Sequence, residues 1–312
     1  MKNNIIKALV FLLILIIILF IISYIFIPKN NSEEYGMENE QAMGILGERE
    51  NSIDVLVLGD SEPMASIIPM KMWKDYGITS YVCSTAGQTL PDTCKMAYDV
   101  LKKQNPKIVI LETNNSYIQT KITVPMARVV NIVFPITKHH NRWKNLKGAD
   151  FFGAINYKET DVNRGYYYVG KVDKADFSNY MTNSDEIEEI STSNKLYIKF
   201  LKAYVESKGA KLIMVSVPNT KNWTYQRHNA MKAFTEQEKI EFLDMNELKD
   251  EIKINWNTET GDAGEHVNYY GALKVTNYLG KWLNSKNILE NHKEDSNYNN
   301  WNEDLKIFEN KY

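Results

Sequence analysis

The sequence predicts an α/β protein in which a parallel sheet of about five strands is flanked by helices and preceded by one transmembrane helix. Two observations support this prediction. Residues 8–27 form a long apolar run that is interrupted only by Ser23 and Tyr24. From residue 53 onwards, short apolar segments that end in glycine or polar residues alternate with segments of helical periodicity. Such alternation is typical of a parallel sheet with helices on both faces.

The apolar run is long enough to cross a membrane. As a helix, residues 8–27 would span about 30 Å, the hydrocarbon thickness of a bilayer. The run exceeds the apolar region of a signal peptide and no small-residue cleavage site follows it, which favours an uncleaved signal anchor over a cleaved signal peptide. Lys2 and Lys7 precede it and Lys29 follows it, which favours a cytoplasmic N-terminus. We therefore expect a single-pass protein of the cell membrane, with residues from about 28 onwards outside the cytoplasm.

The rest of the chain divides by composition. Residues 28–51 are polar and contain three glycines, which is typical of a stalk. Residues 52–285 can bury one sizeable core and form the predicted α/β domain. Within it, the alternation fails over residues 115–185, which we interpret as an insertion above the carboxyl ends of the strands. The aromatic residues of this insertion either line a substrate-binding cap or fill a small core of their own. Residues 286–312 form a polar, asparagine-rich tail.

Composition argues against several classes of function. The chain has 37 basic and 39 acidic residues, so it lacks the charge of a nucleic-acid-binding surface and we expect no nucleic-acid partner. No cysteine and histidine spacing suits a zinc site, and His139 and His140 would point in different directions on a helix, so we expect no metal. Cys83 and Cys94 are interpreted as two small buried thiols, although a location outside the cell would permit a disulfide.

Five strands and five helices are predicted in the α/β domain. Apolar and β-branched residues mark the strands at residues 53–58, 81–83, 108–111, 212–217 and 240–244. Helical periodicity marks the helices at residues 68–76, 90–104, 186–207, 224–236 and 271–284. In the third of these helices, one apolar face is expected to hold Leu196, Phe200, Leu201, Tyr204 and Val205.

Ser61 directly follows the first predicted strand, in the segment Leu58-Gly59-Asp60-Ser61. Gly59 permits a sharp turn, which places Ser61 at the carboxyl end of the strand, where open α/β sheets bind their ligands. A serine in this position can be a nucleophile if a base reaches its hydroxyl, or it can cap the following helix.

A base candidate stands in a glycine-containing loop before the last predicted helix, where Asp262, Glu265 and His266 occur together. A histidine held there by a carboxylate could act as general base toward a serine, and the alternative is a surface histidine before a helix. Asn114 follows the third strand. Because these positions of a doubly wound sheet meet in one crevice, Ser61, Asn114 and His266 are expected to converge.

Four segments resemble the sequence blocks of the SGNH/GDSL superfamily of esterases and acyltransferases. The blocks are matched in order by residues 58–61, 84–88, 112–115 and 262–266. Over residues 59–88 the chain is similar, more narrowly, to membrane-anchored Gram-positive members, which are associated with cell-surface polysaccharides and teichoic acids. Glu112 stands where the third block usually has glycine. In the last block the acid, Asp262, stands four residues before the histidine rather than three, which leaves Glu265 as an alternative orienter.

The resemblance implies a flavodoxin-like three-layer sandwich and a role for each matched residue. Ser61 would be the nucleophile, His266 the general base and Asp262 the acid that orients it. The side chain of Asn114 and the backbone N–H of Gly87 would stabilise the oxyanion. No metal or organic cofactor would be needed.

The predicted function is that of a serine esterase or O-acyltransferase. It would act through an acyl-serine intermediate on acyl esters of a cell-surface glycan or wall polymer. The expected partners are this substrate, the membrane through the N-terminal helix, and a membrane-bound acyltransferase. The alternative is a non-catalytic carrier- or glycan-binding partner in a membrane-bound polymer-modification assembly, which would keep the fold without turnover.

Overall fold

A five-stranded parallel sheet lies at the centre of the structure. The computed structural model describes residues 2–119, 130–131 and 133–312. The strands are β1 (Val55–Gly59), β2 (Ser80–Ser84), β3 (Ile108–Glu112), β4 (Lys211–Ser216) and β5 (Glu241–Asp244). Their order is β2-β1-β3-β4-β5, and every neighbouring pair is parallel. The predicted fold class is therefore confirmed, and the order of the strands reverses direction between β1 and β3, which is where such sheets open a ligand crevice.

Helices cover both faces of the sheet. Those of the first half are α1 (Lys2–Phe26), α2 (Glu40–Met43), α3 (Ser61–Ser66), α4 (Pro69–Tyr76), α5 (Leu90–Val100), α6 (Ile136–His139) and α7 (Gly148–Phe152). Those of the second half are α8 (Thr192–Ser207), α9 (Tyr225–Glu238), α10 (Lys249–Ile252), α11 (Tyr269–Asn284) and α12 (Asn299–Lys311). Helix α5 packs against α8, and Lys199 of α8 pairs with Glu238 of α9 at 2.7 Å. Helix α11 packs on α3 and α4, which completes three layers.

The strands are apolar because both faces of the sheet are covered. Every residue of β1, β2 and β3 is buried, as expected for strands of a parallel sheet between helical layers. The prediction for α8 was wrong at two positions. Leu196 is 51% exposed and Phe200 is 60% exposed, whereas Ile198, Leu201 and Val205 form the buried face. The sequence carries apolar residues on two sides of this helix, and the sheet covers one of them.

Helix α11 is tied to the start of the domain by Thr276. Its hydroxyl accepts a hydrogen bond from the backbone N–H of Ile68 at 2.9 Å and donates one to the carbonyl of Ser66 at 3.3 Å. The N–H of Ile68 and the carbonyl of Ser66 lie at helix ends, where a helix supplies no partner of its own, and Thr276 supplies the partner for both. The middle of α11 is thereby joined to the end of α3 and the start of α4.

The segments on either side of the predicted domain pack against it. In residues 28–51, predicted as a stalk, Ala42 and Ile45 are buried in the core and the carbonyl of Gln41 accepts a hydrogen bond from the hydroxyl of Tyr81 at 2.7 Å. In residues 286–312, predicted as a tail, α12 places Trp301 against Trp73 with ring centroids 5.4 Å apart.

The insertion at 115–185 contains α6 and α7, followed by a long stretch without regular structure. Residues 120–129 and 132 of this insertion lie outside the described residues. Tyr166 is buried in the main core, and Tyr168 stacks on Tyr312 with centroids 4.3 Å apart. At least these aromatic residues therefore serve the main domain.

Two further predictions concern the cysteines and the N-terminal run. Cys83 is buried in β2 as predicted, whereas Cys94 is only half-buried on α5, and no disulfide joins the two. Within α1, Asn3–Phe26 is long and apolar enough to cross a membrane, with 24 residues that include an 18-residue window of mean hydropathy 3.5.

Candidate active site

Ser61 is the first residue of α3, at the carboxyl end of β1. The turn between them requires Gly59, because a Cβ there would lie 2.6 Å from Cγ of Pro63 and 2.9 Å from Cβ of Glu112. The helix is capped by Asp60, whose carboxylate accepts the backbone N–H of Glu62 at 3.0 Å. Ser61 is thus not the cap, and its own N–H, at the first helical position, has no partner within the helix.

The loop that carries His266 folds back on itself. Thr260 and Val267 form an isolated antiparallel bridge, which closes the loop at its base. Ala263 and Gly264 both adopt left-handed backbone conformations, with φ of 59° and 98°. A Cβ on Gly264 would lie 1.9 Å from the hydroxyl oxygen of Thr220, so this position requires glycine. The fold of the loop brings an acid four residues before the histidine within reach of its ring.

Ser61, His266 and Asp262 form a continuous hydrogen-bonded chain. Nε2 of His266 lies 2.8 Å from Oγ of Ser61, and Nδ1 lies 2.5 Å from Oδ2 of Asp262. The other oxygen of Asp262 accepts the backbone N–H of His266 at 2.7 Å. Because a carboxylate only accepts, Nδ1 carries the proton in this pair, which leaves Nε2 as the acceptor for the serine hydroxyl. Glu265, the alternative orienter, has no hydrogen bond to the ring among the described contacts, so the geometry favours Asp262.

Asn114 stands in the 3₁₀ turn that follows β3. Its Nδ2 donates to Oδ2 of Asp60 at 2.8 Å, and its Oδ1 accepts from Nη1 of Arg227 at 3.4 Å. Since a carboxylate only accepts and a guanidinium only donates, these two partners fix which way the amide points. The second N–H of the amide donates to no other described residue and could reach a ligand. Asn114 therefore joins the site through Asp60, the residue directly before Ser61.

Gly87 lies in a turn after β2. The backbone N–H of Gln88 donates to the carbonyl of Thr85 at 3.1 Å, and Gly87 adopts φ of 64°. Ser84, at the end of β2, is in register with Gly59 at the end of β1, which puts the turn at the same edge of the sheet as Ser61. Gly87 is exposed, and no hydrogen bond between described residues joins it to Ser61, His266 or Asp262.

Three buried carboxyl groups lie close to Ser61. Asp60, Glu62 and Glu112 are each at most 2% exposed. Burial raises the pKa of all three, and the neighbouring charge of Asp60 raises the pKa of Glu62 and Glu112 further. Glu62 accepts hydrogen bonds from the side-chain amides of Asn219 and Asn222 through one oxygen, while its other oxygen has no partner among the described residues. Such an environment raises the pKa of the Glu62 carboxyl and favours its protonated form.

Sequence reasoning assigned no role to several residues around the site. Asp60 could have been found, because it stands at the cap position directly before Ser61. Glu112 was visible as a departure from the glycine of its block. Glu62 and Arg227 carried no sequence signal, since their positions depend on how α3 and α9 pack. Over the described ranges, no group of three histidine, cysteine or acidic side chains could hold a metal ion.

Comparison with known proteins finds similarity in solved structures. No protein-family model matches the chain, and no curated protein matches it. The chain is similar to a lipase/acylhydrolase from Enterococcus faecalis, with 11% identity and a TM-score of 0.40 over 76% of this chain and 98% of that one. It is also similar to a GDSL-like lipase from Bacteroides thetaiotaomicron, with 11% identity and a TM-score of 0.38 over 75% of this chain and 88% of that one.

Proposed function

We propose that the chain is a serine esterase or O-acyltransferase of the SGNH type. The observation that carries the proposal is the hydrogen-bonded chain from Asp262 through His266 to Ser61, with distances of 2.5 Å and 2.8 Å. An acid, an imidazole and a serine hydroxyl in this order form an arrangement that activates the hydroxyl as a nucleophile. The site stands at the carboxyl edge of the sheet, beside the reversal of strand order.

In the first half of the reaction, Oγ of Ser61 attacks the carbonyl carbon of an ester while its proton passes to Nε2 of His266. Asp262 stabilises the imidazolium that forms. The remaining amide N–H of Asn114 and the backbone N–H groups of Ser61 and Gly87 are the proposed donors to the oxyanion. When the tetrahedral intermediate collapses, the ester C–O bond breaks and the leaving alcohol takes the proton from His266, which leaves an acyl-serine.

In the second half, the acyl group is passed on. An acceptor hydroxyl gives its proton to Nε2 of His266 and attacks the acyl-serine carbonyl. The bond to Oγ breaks and Ser61 recovers its proton. If the acceptor is water the reaction is hydrolysis, and if it is a sugar hydroxyl the reaction is acyl transfer, so the same residues serve both.

The proposed substrate is an acyl ester on a cell-surface glycan or wall polymer. Two points support this class. Helix α1 is suited to anchor the domain in a membrane, and residues 59–88 resemble membrane-anchored proteins associated with such polymers. On this proposal the domain lies outside the cytoplasm and works with a membrane-bound acyltransferase. Protease added to intact protoplasts should then remove the domain, and protection of the domain would show that the orientation is reversed.

A second candidate is a carrier- or glycan-binding partner that does not turn over. The observation in its favour is at the oxyanion side of the site, where Glu112 replaces a glycine and one N–H of Asn114 is taken up by Asp60. The hydrogen bond between Ser61 and His266 argues against it, because binding alone does not need an activated hydroxyl.

Labelling by a fluorophosphonate separates the two candidates. The probe reacts with activated serines, so the enzyme proposal expects the full-length chain to be labelled and Ser61→Ala to be unlabelled. Ser207→Ala, at an exposed serine on α8, is the matched control and should label normally. If the wild-type chain neither labels nor cleaves an activated ester, and Ser61→Ala still complements a deletion strain, the binding-partner candidate replaces the enzyme.

A further inference from the structure

The carboxyl-terminal end of α1 is held by a segment more than a hundred residues away, residues 133–153. The guanidinium of Arg142 donates to the carbonyl of Phe26 at 2.6 Å, and the hydroxyl of Tyr24 donates to the carbonyl of Gly153 at 3.0 Å. The last carbonyls of a helix lack partners within it. The segment therefore satisfies the end of α1 rather than merely passing beside it.

Apolar contacts accompany these hydrogen bonds. The ring of Phe134 packs on Phe20 with centroids 5.4 Å apart. Beside it, one apolar groove is shared between the end of α1 and the end of α7, and it is lined by Phe20, Ile21, Tyr24, Ile25, Phe151 and Phe152. Residues 133–153 thus extend the apolar surface of α1 in the direction perpendicular to the helix axis.

The segment is held in shape by a buried ion pair. Arg142 and Asp150 are 5% and 0% exposed, and their side chains lie 2.8 Å apart. Asp150 also accepts the backbone N–H of Lys147 at 2.7 Å, which caps α7. The exposed side chains of this segment are therefore presented from an ordered scaffold.

Large apolar side chains of this segment point away from the protein. Phe152 is 94% exposed, the highest value for a large apolar side chain among the described residues. Trp143 is 64% exposed and Phe151 is 46% exposed. Exposed apolar groups that lie together mark an interaction surface. The same segment holds four basic residues and one acid, and that acid, Asp150, is buried with Arg142.

The position of this surface along α1 indicates what covers it. The 24-residue apolar part of α1 would be about 36 Å long at ~1.5 Å per residue, slightly more than the ~30 Å hydrocarbon core of a bilayer. Phe20 to Phe26 make up roughly the last 9 Å. Phe151 and Phe152, packed beside them, would lie where hydrocarbon meets headgroups. Aromatic and basic side chains are enriched at that level.

We propose that residues 133–153 form a second membrane contact, which inserts Phe151, Phe152 and Trp143 into the interface of a phospholipid bilayer beside α1. The exposed lysines of the segment face the anionic headgroups. The proposal rests on the proposed insertion of α1, and it is independent of the chemistry at Ser61. One helix alone would let the domain swing, whereas two contacts fix its height and orientation over the membrane.

Environment-sensitive fluorophores test the proposal in the full-length chain. Single cysteines are introduced by Phe152→Cys, by Phe11→Cys in the middle of α1, and by Phe200→Cys as the exposed control on α8. The background carries Cys94→Ser, and Cys83 is fully buried. The labelled proteins are placed in vesicles of phosphatidylcholine with a minority of phosphatidylglycerol. Aqueous iodide and lipids that are spin-labelled near the headgroup or deep in the acyl chain serve as quenchers.

The expected result is that the label at 152 is quenched by the shallow spin label, and that iodide quenches it several-fold less than the label at 200. The label at 11 should respond to the deep spin label. Equal iodide quenching at 152 and 200 overturns the second contact. If the label at 152 is protected from both iodide and the shallow spin label, the membrane contact is overturned, and a protein partner or a second copy of the chain covers this surface. If iodide quenches the label at 11 as strongly as the label at 200, α1 is not inserted in the bilayer. The proposal then fails, because it depends on that insertion. Trp143→Cys repeats the measurement if Phe152→Cys does not fold.

Discussion

The side-chain amide of Asn114 is bonded to the carboxylate of Asp60 at 2.8 Å, and Asp60 directly precedes Ser61 in the chain. Asp60 also caps α3, the helix that begins with Ser61. One carboxylate therefore fixes both the start of the helix that carries Ser61 and the direction of the Asn114 amide. The proposed nucleophile and the proposed oxyanion donor are positioned by the same residue.

Removal of this amide should slow turnover without unfolding the domain. Loss of one preorganised oxyanion donor lowers the rate by about 10²–10³-fold, and we expect this for Asn114→Ala on an activated ester. Because the bond forms mainly in the transition state, kcat and kcat/KM should fall together. Full activity of the variant would show that Asn114 does not face the reacting oxygen.

The acid that orients His266 can be identified by exchanging each candidate for its amide. Asp262→Asn should lower kcat by roughly 10⁴-fold, because an amide can donate to Nδ1 and favour the wrong tautomer of the ring. Glu265→Gln, the matched control one position before the histidine, should leave kcat nearly unchanged. Equal losses in the two variants would contradict the assignment of Asp262.

Ser61 and His266 should behave as one unit. Ser61→Ala and His266→Ala are each expected to abolish acyl transfer, and the double variant should be scarcely slower than either single one, because coupled catalytic residues are not additive. Thermal unfolding of Ser61→Ala should match that of the wild type, since Asp60 and not Ser61 caps α3. If the rate loss of the double variant equals the product of the two single losses, the two side chains act separately.

The buried carboxyl of Glu62 makes stability depend on pH. Its pKa is raised in the folded state by burial, so the folded chain keeps a proton that the unfolded chain loses. The folded state then binds more protons, and stability falls as pH rises from the ordinary carboxyl value through the raised one. Glu62→Gln cannot ionise. Its free energy of unfolding, relative to wild type, should therefore increase as pH rises above the ordinary carboxyl value of about 4.

A second substitution at the same position separates charge from packing. Glu62→Ala leaves a cavity and removes the acceptor for the Asn219 amide, so it should be less stable than Glu62→Gln at every pH. Denaturant unfolding in detergent measures both variants. A constant difference between Glu62→Gln and wild type across this range would mean that Glu62 is not protonated in the folded chain.

The packing of α12 predicts that the last part of the chain contributes to stability. Trp301 is 1% exposed, against Trp73 and beneath the guanidinium of Arg164. Trp301→Ala should cost about 3–5 kcal/mol in free energy of unfolding. Trp143→Ala removes an equally large but exposed side chain and should change stability by less than about 0.5 kcal/mol. Similar losses in both variants would contradict the packing.

Residues whose positions depend only on the order of the strands could be predicted from the sequence. Ser61 and Asn114 each follow an apolar strand, and parallel strands bring their carboxyl ends to one edge, so their convergence needed no knowledge of packing. Asp262 was harder to assign. Its reach to Nδ1 depends on Ala263 adopting φ of 59°, a left-handed conformation that alanine rarely adopts and that no sequence pattern announces.

Packing between distant segments explains what sequence reasoning missed. Trp301 and Phe308 have the seven-residue spacing of one helical face, but they stand in an asparagine-rich stretch that reads as polar. Leu196 and Phe200 show the converse, because they are apolar residues on a face of α8 that the described part of the chain leaves exposed. In α8 and α12, whether an apolar face is buried depends on which other element packs against it. The periodicity of the sequence does not contain that information.

Ser61 and His266 stand 205 positions apart in the chain. The reactive pair therefore exists only after the sheet has formed, α11 has docked through Thr276, and the bridge between Thr260 and Val267 has closed. A nascent chain that ends before this bridge carries the serine with no base and is inert toward esters. Reactivity at Ser61 would consequently serve as a readout of complete folding, sensitive to damage far from the serine itself.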